Sequence, residues 1–289
     1  MLNKIILGTA NFNKNYGLIN KNLLKDTKQV LAFARKKKIK TIDFAPKYIN
    51  NKKTLNLIAK GKFEVISKIP SIKKVPSKNL KKFIKKQIYK NLSLLKSNNI
   101  CCILFHDSND FRLRKIKDAI KILTEYKKQK IIRKIGVSIY NPEEISLILR
   151  NFKPYKPDVI QLPFNIFDNR FEVSGKLKKL KRLKIEIHAR SIFLQGLFFK
   201  DVENLPRYFG KWKKRFYDFK KDKNEKTIYN ICFNYVSRNK FIDKIIIGFK
   251  FHKEISSFFK SINKPKIKIL KKIKPINDIK LVNPSLWKK

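Results

Sequence analysis

The chain has 289 residues, 43% of them hydrophobic and 12% aromatic, which is enough for a large core and too apolar for a disordered chain. Its 71 Lys+Arg against 21 Asp+Glu give a formal charge of +50 at pH 7, a balance that normally points to nucleic acid or an anionic membrane. No apolar run approaches the roughly eighteen residues of a membrane span, so no membrane insertion is expected.

The charge itself has two readings. The lysines occur in almost every segment rather than in one block, and the chain is also rich in Ile, Asn, Phe and Tyr and poor in Ala and Gly. All the favoured residues have A/T-rich codons, so compositional drift explains the excess without any ligand and is the preferred reading over a dedicated polyanion surface. No specific nucleic-acid partner is expected, although non-specific adhesion at low salt is.

From the start, "MLNKIILGTANF" is too short in apolar residues for a signal peptide and reads as a first strand at 4–10. Further β-branched runs predict strands at 41–45, 63–69, 99–106, 133–140, 158–165, 186–192 and 244–249. Between them lie segments of helical period, such as "TKQVLAFARKK" and "NLKKFIKKQIYKNLSLL". In "YNPEEISLIL" the pattern predicts Asn141 as a cap, Pro142 in the first helical position and Glu144 closing a capping box. Eight strands, each followed by a helix, are the count of a (β/α)₈ barrel, the TIM barrel. We expect one barrel domain over 1–263 and a basic, proline-bearing tail over 264–289. Cys101, Cys102 and Cys232 form no metal-like or paired spacing, which suits reduced thiols in a cytoplasmic protein, and no metal is expected.

In such a barrel, catalytic groups sit at the C-terminal ends of the strands. There "TIDFAPKY" places Asp43 with Tyr48 in the following loop, "ISKIP" places Lys68, and "LFHDS" places His106. Taken singly, an Asp at a strand end is a common cap, a loop Tyr is usually packing, and one lysine among so many carries little signal. Four polar groups from three consecutive strands converging on one mouth are a different matter.

In order and spacing, "LGTANF", "NYGL", "TIDFAPKY", "ISKIP", "LFHD", "IRKIGVSIY", "IQLPFN", "RSIFLQGL" and "IIIGF" together resemble the aldo/keto reductases, over residues 2 to 262. The likeness is greatest to short bacterial members found in surface-glycan gene sets. The resemblance implies a (β/α)₈ barrel that moves a hydride between NAD(P)(H) and a small carbonyl or alcohol substrate without a metal, with Asp43, Tyr48, Lys68 and His106 as the catalytic set. Chemically that set is coherent, because hydride arriving at a carbonyl carbon leaves negative charge on oxygen, which needs a proton and donors. A lysine ammonium favours the phenolate of a neighbouring tyrosine, and a carboxylate can offset the cost of burying that ammonium. His188 and His252 have no such companions and read as structural or surface residues.

The resemblance also assigns Ser138 and Gln161 to the nicotinamide carboxamide, and Gly248 and Lys250 to the adenosine phosphate, which implies NADP(H) ahead of NAD(H). Arg190 stands where many members carry a ring that stacks on the nicotinamide. Ile139, Asn13 and Ile49 depart from positions that are commonly Asn, Gly and Gly. The substrate class it suggests includes a sugar or nucleotide-sugar intermediate. A different class of reading is a weakly active barrel that binds polyanions through its basic surface.

Overall fold

The computed structural model describes residues 2–12, 23–46, 49, 51–262 and 274–287. Eight short strands, β1 (Ile5–Gly8), β2 (Thr41–Asp43), β3 (Glu64–Ile69), β4 (Ile100–Phe105), β5 (Ile132–Ser138), β6 (Val159–Pro163), β7 (Glu186–Arg190) and β8 (Lys244–Gly248), pair in parallel in sequence order. β8 returns to β1 and closes the barrel. Each lies within the stretch read from the sequence, apart from β5, which starts one residue earlier at Ile132.

The strands read as continuous apolar runs because both faces are covered. On the inner face Ile6, Ile66, Cys102, Leu104 and Val159 pack with Ile246 into a small plug. On the outer face Ile103, Phe105, Val137, Ile160 and Leu162 join the larger core beneath the helices. Those helices are α1 (Leu23–Lys36), α2 (Lys52–Lys60), α3 (Leu80–Leu95), α4 (Ile116–Lys128), α5 (Glu144–Phe152), α6 (Arg170–Val173), α7 (Lys176–Arg182), α8 (Lys213–Lys220), α9 (Glu225–Ser237) and α10 (His252–Ile262).

One local feature differs from expectation. α5 starts at Glu144, with Pro142 and Glu143 in a turn and no side-chain cap. The reason is that Asn141 Oδ1 accepts from Arg170 Nη1 (3.2 Å), while its amide donates to the Glu144 carboxylate (3.0 Å). Near the C-terminus, a short helix α11 (Ile279–Val282) buries Leu281 and Val282 in a second apolar cluster with Phe167, Phe198, Phe209 and Trp212. The Ile276 and Asn277 N–H groups both donate to the Phe167 carbonyl at 3.0 Å, and Trp287 Nε1 donates to the Leu281 carbonyl at 2.9 Å. Among the described residues no helix is long and apolar enough to cross a membrane, and no cluster of His, Cys, Asp and Glu could hold a metal.

Candidate active site

Asp43 ends β2 and faces inward, opposite Ile66; Lys68, two residues on in β3, faces the same way. Its ammonium lies 2.5 Å from Asp43 Oδ1, and the two residues are only 2% and 6% exposed. An ammonium so deeply buried would be costly alone, so the carboxylate is a structural requirement of having Lys68 there. The second carboxylate oxygen, Oδ2, accepts from Gln161 Nε2 at 2.9 Å. Gln161 Oε1 in turn accepts from Ser138 Oγ at 3.4 Å. A line of polar contacts thus crosses the mouth from β3 through β2 and β6 to β5. Gly136 makes room for it: a Cβ there would sit 2.2 Å from the Val159 carbonyl oxygen and 2.8 Å from Leu104, so only glycine lets β5 and β6 approach this closely.

His106 follows the last residue of β4, and its N–H donates to the Ile69 carbonyl (3.1 Å), which holds it beside the end of β3. Tyr48 lies outside the described residues, as does Asn13; Ala45 and Ile49, on either side of Tyr48, are buried.

On the opposite wall, Arg190 ends β7. Its guanidinium lies 4.1 Å from the centre of the Tyr140 ring and donates to the Ile139 carbonyl at 2.9 Å. The charge is therefore fixed to the β5 loop, and Tyr140 adds a ring at this wall beyond the residues predicted from the sequence. Gly248 ends β8, exposed at the mouth. Beyond it, the N–H groups of Lys250 and Phe251 both donate to Glu254 Oε2, at 2.6 and 3.3 Å. The helix start that could offer donors to a phosphate is thus already capped by the chain's own carboxylate, whose pKa burial pushes up. Sequence held the signal: a Glu four residues after Lys250, at the start of a helical pattern.

A second charged cluster occupies the other end of the barrel interior. His188, opposite Gln161 on the next strand, is buried with Nε2 2.9 Å from Glu186 Oε1, and Lys134 pairs with the same carboxylate. Burial opposes ionisation of Glu186, but its hydrogen bonds and charges from His188 and Lys134 outweigh it and hold the pKa at about 2. His188 Nδ1 is buried without a protein partner.

Comparison with known proteins agrees with this architecture. The family model "Aldo/keto reductase family" matches residues 4–276. Among solved structures, an aldo-keto reductase from Bacillus halodurans superposes with a TM-score of 0.72 at 14% identity, over 94% of this chain and 92% of that one. The glycerol dehydrogenase from Gluconobacter oxydans gives 0.68 at 19% identity, over 96% and 91%. A thermostable aldo-keto reductase complexed with the inhibitor epalrestat gives 0.65 at 16%, over 96% and 94%. No curated protein matches the sequence. The chain belongs to the aldo/keto reductase family and is an NAD(P)-dependent oxidoreductase.

Proposed function

We propose that this protein reduces a small carbonyl compound, with Tyr48 giving the proton, Lys68 stabilising the phenolate that results, Asp43 fixing the ammonium, and His106 aligning the carbonyl oxygen. The observation that carries the reading is the Lys68–Asp43 pair, 2.5 Å apart and buried at the strand ends, where a barrel presents its chemistry. The polar set at the mouth suits a nicotinamide cofactor: the Ser138 hydroxyl and the Gln161 carbonyl keep acceptor capacity for a carboxamide N–H beyond their mutual contact. When bound, that cofactor supplies the hydride.

The chain's residues supply the rest. His106 and Tyr48 hold the carbonyl oxygen between two donors, and the phenol proton passes to that oxygen as charge develops on it. Lys68 keeps the phenolate stable until the proton is replaced from solvent. Arg190, tethered to Tyr140, forms part of the wall facing the cofactor ring and brings a positive charge there. At the far end we propose a modest preference for NADPH. Lys250 offers an ammonium to the 2′-phosphate, while Glu254 already occupies the neighbouring N–H donors. A sugar or nucleotide-sugar carbonyl is the substrate class proposed, in a cytoplasmic setting that suits three free thiols.

The test is cofactor oxidation. Wild-type protein should consume NADPH only when a carbonyl compound is added, and NADPH alone should raise its melting temperature. If NADPH neither stabilises the protein nor is oxidised with any member of an aldehyde, ketone and aldose panel, the proposal fails.

A further inference from the structure

Arginine is scarce in this chain: of the 71 basic residues only eleven are Arg, at positions 35, 112, 114, 133, 150, 170, 182, 190, 207, 215 and 238. Three of them, Arg112, Arg114 and Arg150, line one cleft together with Lys117. It is an open hollow of about 500 Å³, floored by Phe111, Leu113 and Leu147. Its position is defined. Arg112 ends the 3-10 turn after β4, Lys117 belongs to the first turn of α4, and Arg150 to the last turn of α5. Asn151 ties the two walls, its amide donating to both the Phe111 and the Leu147 carbonyls at 3.0 Å. Beneath, Phe111 packs on Phe105 and Phe152, on the outer side of the barrel wall. The cleft is therefore separated from the inner-face cluster of Asp43, Lys68 and Gln161 by the sheet itself.

Charge alone would say little in so basic a protein, but arginine in place of lysine does. Drift that favours lysine leaves no reason for three guanidiniums at one place. Elsewhere Arg133 and Arg170 are held by carboxylates, Arg190 by a ring and a carbonyl, and Arg215 by a carbonyl. Arg35, Arg182, Arg207 and Arg238 make no side-chain hydrogen bond or ion pair among the described residues, but they do not share a cleft with one another. Among the described residues the side chains of Arg112, Arg114, Lys117 and Arg150 make no hydrogen bond or ion pair. Four converging cations without an acid between them repel one another, and an anion relieves that repulsion. A guanidinium presents a planar fork that matches two phosphate oxygens at once, which an ammonium cannot do. The volume falls within the range of small-molecule sites.

The geometry points to this cleft as a binding site for a di- or triphosphate group carried by a small molecule, distinct from the mouth of the barrel and independent of the reductase reading. The phosphates meet the guanidiniums of Arg112, Arg114 and Arg150, with Lys117 adding charge, and any apolar or planar remainder rests on Leu113 and Leu147.

The experiment is titration calorimetry with inorganic tripolyphosphate at about 0.15 M salt, where long-range attraction to the general surface is screened. Wild type is compared with the triple variant Arg112→Gln/Arg114→Gln/Arg150→Gln. A charge-matched control, Lys25→Gln/Lys28→Gln/Lys36→Gln, alters exposed residues of α1, after the strand four places from β5 around the barrel. The arginine variant should bind about tenfold or more weakly and the lysine variant within about twofold of wild type. NADPH affinity should be unchanged by the arginine variant. A nucleoside triphosphate that binds more tightly than tripolyphosphate would place its base on the apolar floor; equal affinities would make the phosphate chain the whole ligand. Equal losses in the two triple variants, no binding by wild type, or full affinity in an Arg→Lys triple variant would each overturn the assignment.

Discussion

The barrel interior carries a lysine–carboxylate pair at each end, and the two differ in everything but type. At the strand ends, Lys68 and Asp43 are buried and joined by neutral donors, Gln161 and Ser138. At the strand starts, Lys134 and Glu186 reach partly into solvent, their side chains 43% and 21% exposed, with His188 behind them. Burial without solvent makes the upper pair expensive, and such an expense persists where a reaction uses it. The lower pair lies at the face of a barrel where residues serve stability. On the proposed mechanism, a lysine–carboxylate pair has different work according to which end of the strands it occupies. Changes at the mouth that leave the buried ion pair intact, such as those at Tyr48, should alter rate with little effect on folding, and changes at the floor the reverse.

The largest effect should come from the mouth. Tyr48→Phe removes the proposed proton donor and should lower carbonyl reduction about 10²–10⁴-fold, while NADPH affinity stays within a few-fold. Steady-state rates beside fluorescence titration of the cofactor separate the two; an unchanged rate would take Tyr48 out of the mechanism.

Between the clusters, Gly136→Ala forces a methyl group against the Val159 carbonyl, which can move only with the strand. We expect a loss of about 1–3 kcal/mol in urea unfolding, from overpacking. Undiminished stability would mean that β5 and β6 can part without cost.

At the floor, the Glu186 pKa is held at about 2, below its ordinary value of 4.5. A carboxylate depressed by folding contributes stability that is present above about pH 4.5 and is lost as pH falls through about 2. Glu186→Gln should therefore be less stable than wild type at neutral pH, and the gap should close on acidification through that window. Its activity should be near normal. A gap that persists at pH 2 would trace the loss to packing rather than charge.

The smallest effect concerns the cofactor's adenosine end. Wild type should bind NADPH modestly better than NADH at matched salt, and Lys250→Glu should reduce that ratio by repelling the 2′-phosphate. Equal dissociation constants in wild type, or an unchanged ratio in the variant, would remove Lys250 from phosphate recognition.

Much of this could be read from the chain. The barrel was legible because parallel strands buried on both faces leave uninterrupted runs such as "ICCILF", and because turn residues separate them from helical periods. The placement of Asp43 and Lys68 followed from strand ends alone. Contacts between distant residues were not legible. Nothing local links Gln161 to Asp43, 118 positions away, or Arg190 to the ring of Tyr140, and both depend on closure of the barrel. The α5 start was misplaced for the same reason, since Arg170 takes the oxygen that would have capped it. The Glu254 cap is legible in the sequence, as a Glu four residues after Lys250 at the start of a helical pattern.

The central claim is that the buried ammonium at the mouth serves a phenol. Its most direct test is the pH–rate profile of Lys68→Met against wild type, with NADPH saturating. Without the cation the phenolate loses its stabilising neighbour, so activity should fall and the profile should move to higher pH. Asp43→Asn should produce a smaller change of the same kind, because the ammonium remains but loses the carboxylate 2.5 Å away. A Lys68→Met enzyme whose rate and pH profile both match wild type would contradict the account.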